Sequence, residues 1–123
     1  MSQSNGPVPF NVGKVRNGFL YTITSGVNEL RSYGHPIYKC ARGNTVGDNS
    51  RVYFLFKDSV GHWNAFEASA TSQDPANEGT PQFRTIHQVD DISQPDWIHW
   101  HQWDTDTQEW AWPQWHEVTP ATS

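Results

Sequence analysis

Arg51-Val52-Tyr53-Phe54-Leu55-Phe56-Lys57, Asp58-Ser59-Val60-Gly61 and His62-Trp63-Asn64-Ala65-Phe66-Glu67-Ala68 follow one another without a break. Two runs rich in aromatic, β-branched and small apolar residues thus flank a four-residue segment with three turn-formers, the pattern of an antiparallel hairpin. Side chains alternate between faces in a strand, so Val52, Phe54 and Phe56 share one side and Tyr53 and Leu55 the other. Both sides are apolar, and this first strand is therefore expected to be buried on both faces. In the second run Trp63 and Ala65 alternate with Asn64 and Phe66.

Working outward, the same period of two recurs and no segment carries a helical apolar stripe over three turns. Upstream, Asn17-Gly18 lies between Val15-Arg16 and Phe19-Leu20, which predicts a hairpin turn at Asn17-Gly18 with a second strand from Phe19 to Thr24. Pro36 leads into a short strand, Ile37-Tyr38-Lys39-Cys40. Residues 42–50 are turn-formers throughout and read as a loop. Downstream, residues 69–82 read as a long loop, Phe83 to Val89 as a strand and Asp90 to Asp96 as a polar connection. The expectation is all-β: a small antiparallel β-sandwich or barrel of roughly seven to nine short strands, with the choice between the two left open. Residues 1–123 form one domain in this reading, with 1–7 and 118–123 as flexible ends.

Composition narrows the function classes. The chain has 8 basic and 13 acidic side chains, a formal charge of −5, and no Lys or Arg after Arg84. A phosphate-tracking surface needs clustered cations, so nucleic acid is not an expected partner. No apolar run approaches the length of a membrane helix, and the N-terminal Met1-Ser2-Gln3-Ser4-Asn5-Gly6-Pro7 does not look like a signal peptide. A cytoplasmic or non-classically released protein is expected. Cys40 is the single cysteine, which excludes an internal disulfide and reads as a small buried side chain.

Six of the seven tryptophans fall between Trp97 and Trp115. They lie in Trp97-Ile98-His99-Trp100-His101-Gln102-Trp103 and Trp110-Ala111-Trp112-Pro113-Gln114-Trp115-His116, separated by Asp104-Thr105-Asp106-Thr107-Gln108-Glu109. The polar separator reads as a turn and the flanks as the strands of a C-terminal hairpin. With those six residues as the loop, Trp103 stands opposite Trp110, His101 opposite Trp112, His99 opposite Gln114 and Trp97 opposite His116. Cross-strand partners share a face, so one side carries Trp97, His99, His101, Trp103, Trp110, Trp112, Gln114 and His116. The other carries Ile98, Trp100, Gln102, Ala111, Pro113 and Trp115, which are mainly apolar and suited to the core.

The mixed face is the candidate site. Burying its histidines and amide without partners would cost about 1–3 kcal/mol each, which places it against water or a polar ligand. A pyranose offers an apolar C–H face for stacking on tryptophan and a rim of hydroxyls for imidazoles, amides and the nearby Asp104, Asp106 and Glu109. The expected function is a non-enzymatic, lectin-like carbohydrate-binding domain, with loop 69–82 or 42–50 at the rim and a glycan as partner. Two other readings stand beside it. Tryptophan can simply supply core bulk, and the same face with its Pro113-bearing edge strand can join copies of the chain into a homo-oligomer or hold another protein.

His99, His101 and His116 could in principle face one metal ion, but no accompanying carboxylate is identifiable, and no metal or cofactor is expected. Asp104-Thr105-Asp106 lacks the glycine and closing glutamate of a calcium loop. His62 and His87 read as framework residues. No nucleophile elbow, phosphate-binding glycine loop, paired cysteines or helical His-Glu motif is present, and the chain is read as leaning away from catalysis.

Overall fold

The computed structural model describes residues 8–12, 15–25, 27–42, 51–92, 100–111 and 119–120. The first strands are β1 (Val8–Val12), β2 (Val15–Thr22), the short pieces β3 (Thr24–Ser25), β4 (Asn28–Glu29), β5 (Arg31–Ser32) and β6 (His35–Pro36), and β7 (Tyr38–Ala41). The chain continues with β8 (Arg51–Lys57), β9 (Trp63–Ser69), the one-turn helix α1 (Pro75–Glu78), β10 (Thr80–Thr85), β11 (Trp100–Asp104), β12 (Glu109–Ala111) and β13 (Thr119–Pro120). Nine of these strands form one sheet in the order β12-β11-β10-β9-β8-β7-β2-β1-β13, and every pairing in it is antiparallel. The all-β, antiparallel class expected from the period of two is the observed one.

The sheet must curl. Laid flat, nine strands would hold their edges about 38 Å apart at ~4.8 Å per strand. The chain passes from Ala111 at the end of β12 to Thr119 at the start of β13, on the opposite edge, in eight residue steps. Fully extended, eight steps reach only about 28 Å. The buried side chains show the same curvature: Phe10 and Val12 of β1 belong to one cluster with Leu20, Cys40, Leu55, Trp63, Phe83 and Trp100 of β11. That cluster is the inner core. A second, smaller cluster of Ala41, Val52, Phe54, Ala68 and Ala70 lies on the outer face of the middle strands.

The expected hairpin forms from Arg51 to Ser69, but its turn takes in His62 as well as Asp58–Gly61, which puts Phe54 opposite Phe66, Leu55 opposite Ala65 and Lys57 opposite Trp63. Val52, Tyr53, Phe54 and Leu55 are all buried, so β8 is covered on both faces as expected. The outer cover is the segment from Ala70 to Gly79. The Lys39 ammonium donates to the Ala70 carbonyl at 2.7 Å, and α1 packs on β9.

Three expectations are corrected. Asn17-Gly18 is not a turn, because β2 runs straight through it and Val12 pairs with Val15, so the chain reverses between those two residues. Gly18 instead sits opposite the fully buried Phe10, where the bulk on that face comes from the ring across the ladder. Second, the loop predicted over 69–82 is shorter: it contains α1, and β10 begins at Thr80. Gly79 permits this tight return, since a Cβ there would lie 2.6 Å from the Pro75 carbonyl, and Pro81 is accommodated by a register shift before Phe83. Third, the strand predicted to reach Val89 leaves the ladder after Thr85. From there Val89 is held by the turn and the core: its N–H donates to the Gly61 carbonyl at 3.1 Å and its carbonyl accepts from the Trp63 indole at 2.9 Å. The expected loop 42–50 and connection 90–96 lie largely outside the described residues, as do residues 1–7; of the expected flexible tail 118–123, Thr119 and Pro120 instead pair with Asn11 and Phe10 of β1 and the rest lies outside the described residues.

Candidate functional site

The C-terminal hairpin forms with the register read from its six-residue separator: Trp103 pairs with Trp110, Gln102 with Ala111 and Asp104 with Glu109. Its turn is built by Asp104. That residue's Oδ1 accepts from the backbone N–H of Asp106 at 2.9 Å and of Thr107 at 3.3 Å, while its carbonyl accepts from the Gln108 N–H at 2.8 Å. Gln108 completes the reversal in the left-handed region at φ 60°.

β11 joins the sheet beside β10, with Phe83 opposite Gln102, Arg84 opposite His101 and Thr85 opposite Trp100. This pairing decides the faces. Trp100 points inward with Phe83, is only 4 % exposed, and meets that ring edge-on at 6.4 Å. Trp100 is therefore core, as its membership of the apolar set predicted. Its indole N–H finds no acceptor among the described residues.

His101, Trp103 and Trp110 take the other face, and all three are half-buried. The Trp103 and Trp110 rings meet nearly edge-to-face, centroids 4.8 Å apart and planes at 67°. This arrangement suits their quadrupoles and fixes both rings. Arg84 reaches from β10 past β11 and lays its guanidinium over the Trp110 ring at 4.8 Å. Its buried Nε has no acceptor, and no carboxylate lies within ion-pair distance of it among the described residues.

Further along the same face, His62 stands at the head of β9 with its Nδ1 2.7 Å from the Thr85 carbonyl, so Nδ1 carries the hydrogen. The acid beside it, Asp58, is already engaged. Its Oδ1 accepts from the N–H groups of Val60, Gly61 and His62, and its Oδ2 accepts from the Asn64 amide. Burial pushes the Asp58 carboxyl up, but the bonds from Asn64, His62, Val60 and Gly61 outweigh it, and the pKa ends below the usual carboxylate value. The His101 ring is held below the usual imidazole value, first by burial and then by the positive fields of Arg84 and His62. Burial alone pushes the Cys40 thiol up to about 12, which leaves it an unreactive core residue.

Of the candidates named from sequence, His101, Trp103 and Trp110 are thus brought together on one face. Asp104 is spent on the turn, Asp106 is exposed in it, and alternation puts Asp104 and Glu109 on the opposite side from the rings. Trp97, His99, Trp112, Gln114 and His116 lie outside the described residues. So do two of the three histidines weighed as metal ligands; among the described residues no three His, Cys, Asp or Glu side chains gather around a common point. The segment expected at the rim, 69–82, packs instead on β8 and β9. It forms one wall of an open cleft of about 380 Å³, where Asp74 and Pro75 face Leu30, Ile37 and Phe56.

Arg84 was not singled out from the sequence, and His62 was read there only as a framework residue. The available signal for Arg84 was alternation within the strand that starts near Phe83, which turns it away from the core. Its partner ring is two strands away, and that neighbourhood depends on sheet order. No protein-family profile, curated protein or solved structure matches the chain, so the geometry alone carries the functional reading. Among the described residues no helix is long and apolar enough to cross a membrane.

Proposed function

We propose that this chain is a non-enzymatic, lectin-like carbohydrate-binding domain whose ligand rests on the outer face of β11 and β12. The observation that carries the reading is the Trp103–Trp110 pair: two half-buried indoles, locked edge-to-face, on the side of the hairpin turned away from the core. Tryptophans needed only for bulk are placed as Trp63 and Trp100 are, at 1 % and 4 % exposure. A fixed aromatic platform with a guanidinium and an imidazole beside it matches a pyranose, which presents C–H groups to the rings and oxygens to the donors.

The test is a glycan array read against wild type and the Trp103→Ala, Trp110→Ala double variant. Wild type is expected to bind at least one glycan class, and loss of both rings to weaken it at least about tenfold, equivalent to ~1.4 kcal/mol. A folded, monodisperse wild type that binds no glycan, or a double variant that binds as well as wild type, overturns the proposal. A second reading rests on β12, which is the edge strand of the sheet. An edge ladder next to an aromatic face can also join two copies of the chain. Light scattering across a hundredfold range of concentration decides it: a mass of two chains at any concentration favours self-association, and the mass of a single chain throughout excludes it.

A further inference from the structure

We infer that the preferred ligand is an acidic sugar, a pyranose bearing a carboxylate or sulfate, with its anionic group held by Arg84 while its ring rests on Trp103 and Trp110. The inference depends on the carbohydrate reading above and makes it more specific.

Three observations converge. Arg84 is a half-buried cation that has no counter-charge among the described residues, and its buried Nε has no hydrogen-bond partner there. Holding an unpaired charge part-way out of water is unfavourable, and an oxyanion arriving at the open edge of the guanidinium would offset that cost with two parallel hydrogen bonds. Second, among the described residues the groups placed beside Arg84 are imidazoles and an indole, and the acid nearby is taken up by the backbone and Asn64. His101 is directly across the ladder on β11, His62 approaches from β9, and β12 contributes Trp110, with Asp58 already satisfied by four hydrogen bonds. Third, the stacking on Trp110 fixes where the guanidinium lies, so the distance between an anionic group and a stacked ring is set before a ligand arrives. A neutral sugar would use the platform and leave the cation unpaired. The chain as a whole is acidic at −5, so this cationic surface runs against the general charge, and its attraction acts at short range.

The experiment is tryptophan-fluorescence titration of the full chain with three probes of matched length: oligogalacturonate, a sulfated galactan oligomer and the neutral galacto-oligosaccharide. Tighter binding of at least one acidic probe, by about tenfold or more over the neutral one, is expected. Which acidic probe leads distinguishes carboxylate from sulfate. In Arg84→Gln the preference is expected to disappear, so that acidic and neutral probes bind alike, and Arg84→Lys should keep part of it. Lowering the pH from about 7 to 5 should tighten the acidic probe and leave the neutral one unchanged, because His101 is held below the usual imidazole value by burial and by the fields of Arg84 and His62, and a bound anion favours its charged form.

Equal binding of acidic and neutral probes by wild type overturns the acidic preference and leaves the carbohydrate reading intact. Binding of none of the three, in a sample whose far-ultraviolet spectrum shows the folded sheet, overturns this inference. The broader glycan array then decides whether the carbohydrate reading falls too. An acidic preference that survives in Arg84→Gln removes Arg84 from the role assigned to it.

Discussion

Two hairpins in this molecule close with the same device and do different work. In β8–β9 the turn is capped by Asp58, whose Oδ1 takes three successive backbone N–H groups, and it ends on Gly61 at φ 104°. In β11–β12 it is capped by Asp104, whose Oδ1 takes two, and it ends on Gln108 at φ 60°. The strands differ more than the turns. The first hairpin is covered on both faces, by the inner core and by the Ala70–Gly79 segment, whereas the second gives Trp100 to the core and keeps Trp103 and Trp110 half-exposed. One hairpin is therefore framework on two sides. The other is framework on one side and leaves two tryptophans half-exposed on the opposite side.

The largest expected effect tests that division. Phe54→Ala empties a fully buried site on the outer face of β8 and is expected to cost about 3–5 kcal/mol. Trp110→Ala removes a ring of similar or greater size, but its edge-to-face partner and cation contact together are worth only about 1–2 kcal/mol. Urea unfolding of the two variants measures both. Equal losses would mean that the outer face of β11–β12 is as structural as β8, and the distinction between the hairpins would fail.

A smaller effect separates the two caps. Asp58→Ala leaves three turn N–H groups and the Asn64 amide without their acceptor, and a loss of about 1–3 kcal/mol is expected. Asp104→Ala removes two bonds in an exposed turn, for which about 0.5–1 kcal/mol is expected. Acid adds a sign. The folded pKa of Asp58 lies below its unfolded value, so its contribution is complete above the ordinary carboxylate range and is lost as pH falls through the lowered folded value. Stability measured from pH 6 to about 2 should therefore fall less steeply in Asp58→Asn than in wild type. Identical slopes would show that Asp58 has no part in acid sensitivity.

The same two hairpins show what the amino-acid order makes legible. Register was readable in the second hairpin, where counting out from the six-residue separator puts Trp103 opposite Trp110; in the first, the same count from Asp58–Gly61 would put Phe54 opposite Ala65, and Phe54 meets Phe66 because His62 joins the turn. Turn identity was less so. Asn17-Gly18 has the strongest turn signal in the chain yet lies inside β2, while Tyr33-Gly34, with φ of 51° and 83°, makes the tight turn between β5 and β6. Strand partners and burial across the sheet overrode residue preference there. Arg84 was the hardest to foresee. Its place over Trp110 requires β10, β11 and β12 to be neighbours, and that order is decided by how the whole sheet curls around the inner core.

The smallest expected effect concerns the residues that end the two turns. A left-handed backbone costs an L side chain roughly 1–2 kcal/mol, a cost glycine does not bear. Gly61 avoids it, and a Cβ there would also press on the Gln88 side chain at 3.0 Å, so Gly61→Ala is expected to cost about 1–2 kcal/mol. Gln108 does bear it, offset in part by its amide donating to the Thr105 carbonyl at 3.0 Å. In Gln108→Gly, relief of the strain competes with the lost bond and with the greater freedom of glycine in the unfolded chain. The first term is larger, and a net gain of a few tenths to about 1 kcal/mol is expected, seen as a rise in Tm. A fall in Tm would show that the Gln108 amide holds the turn. The second hairpin would then depend on side-chain bonds at both ends of its loop, where the first depends on an aspartate and a glycine.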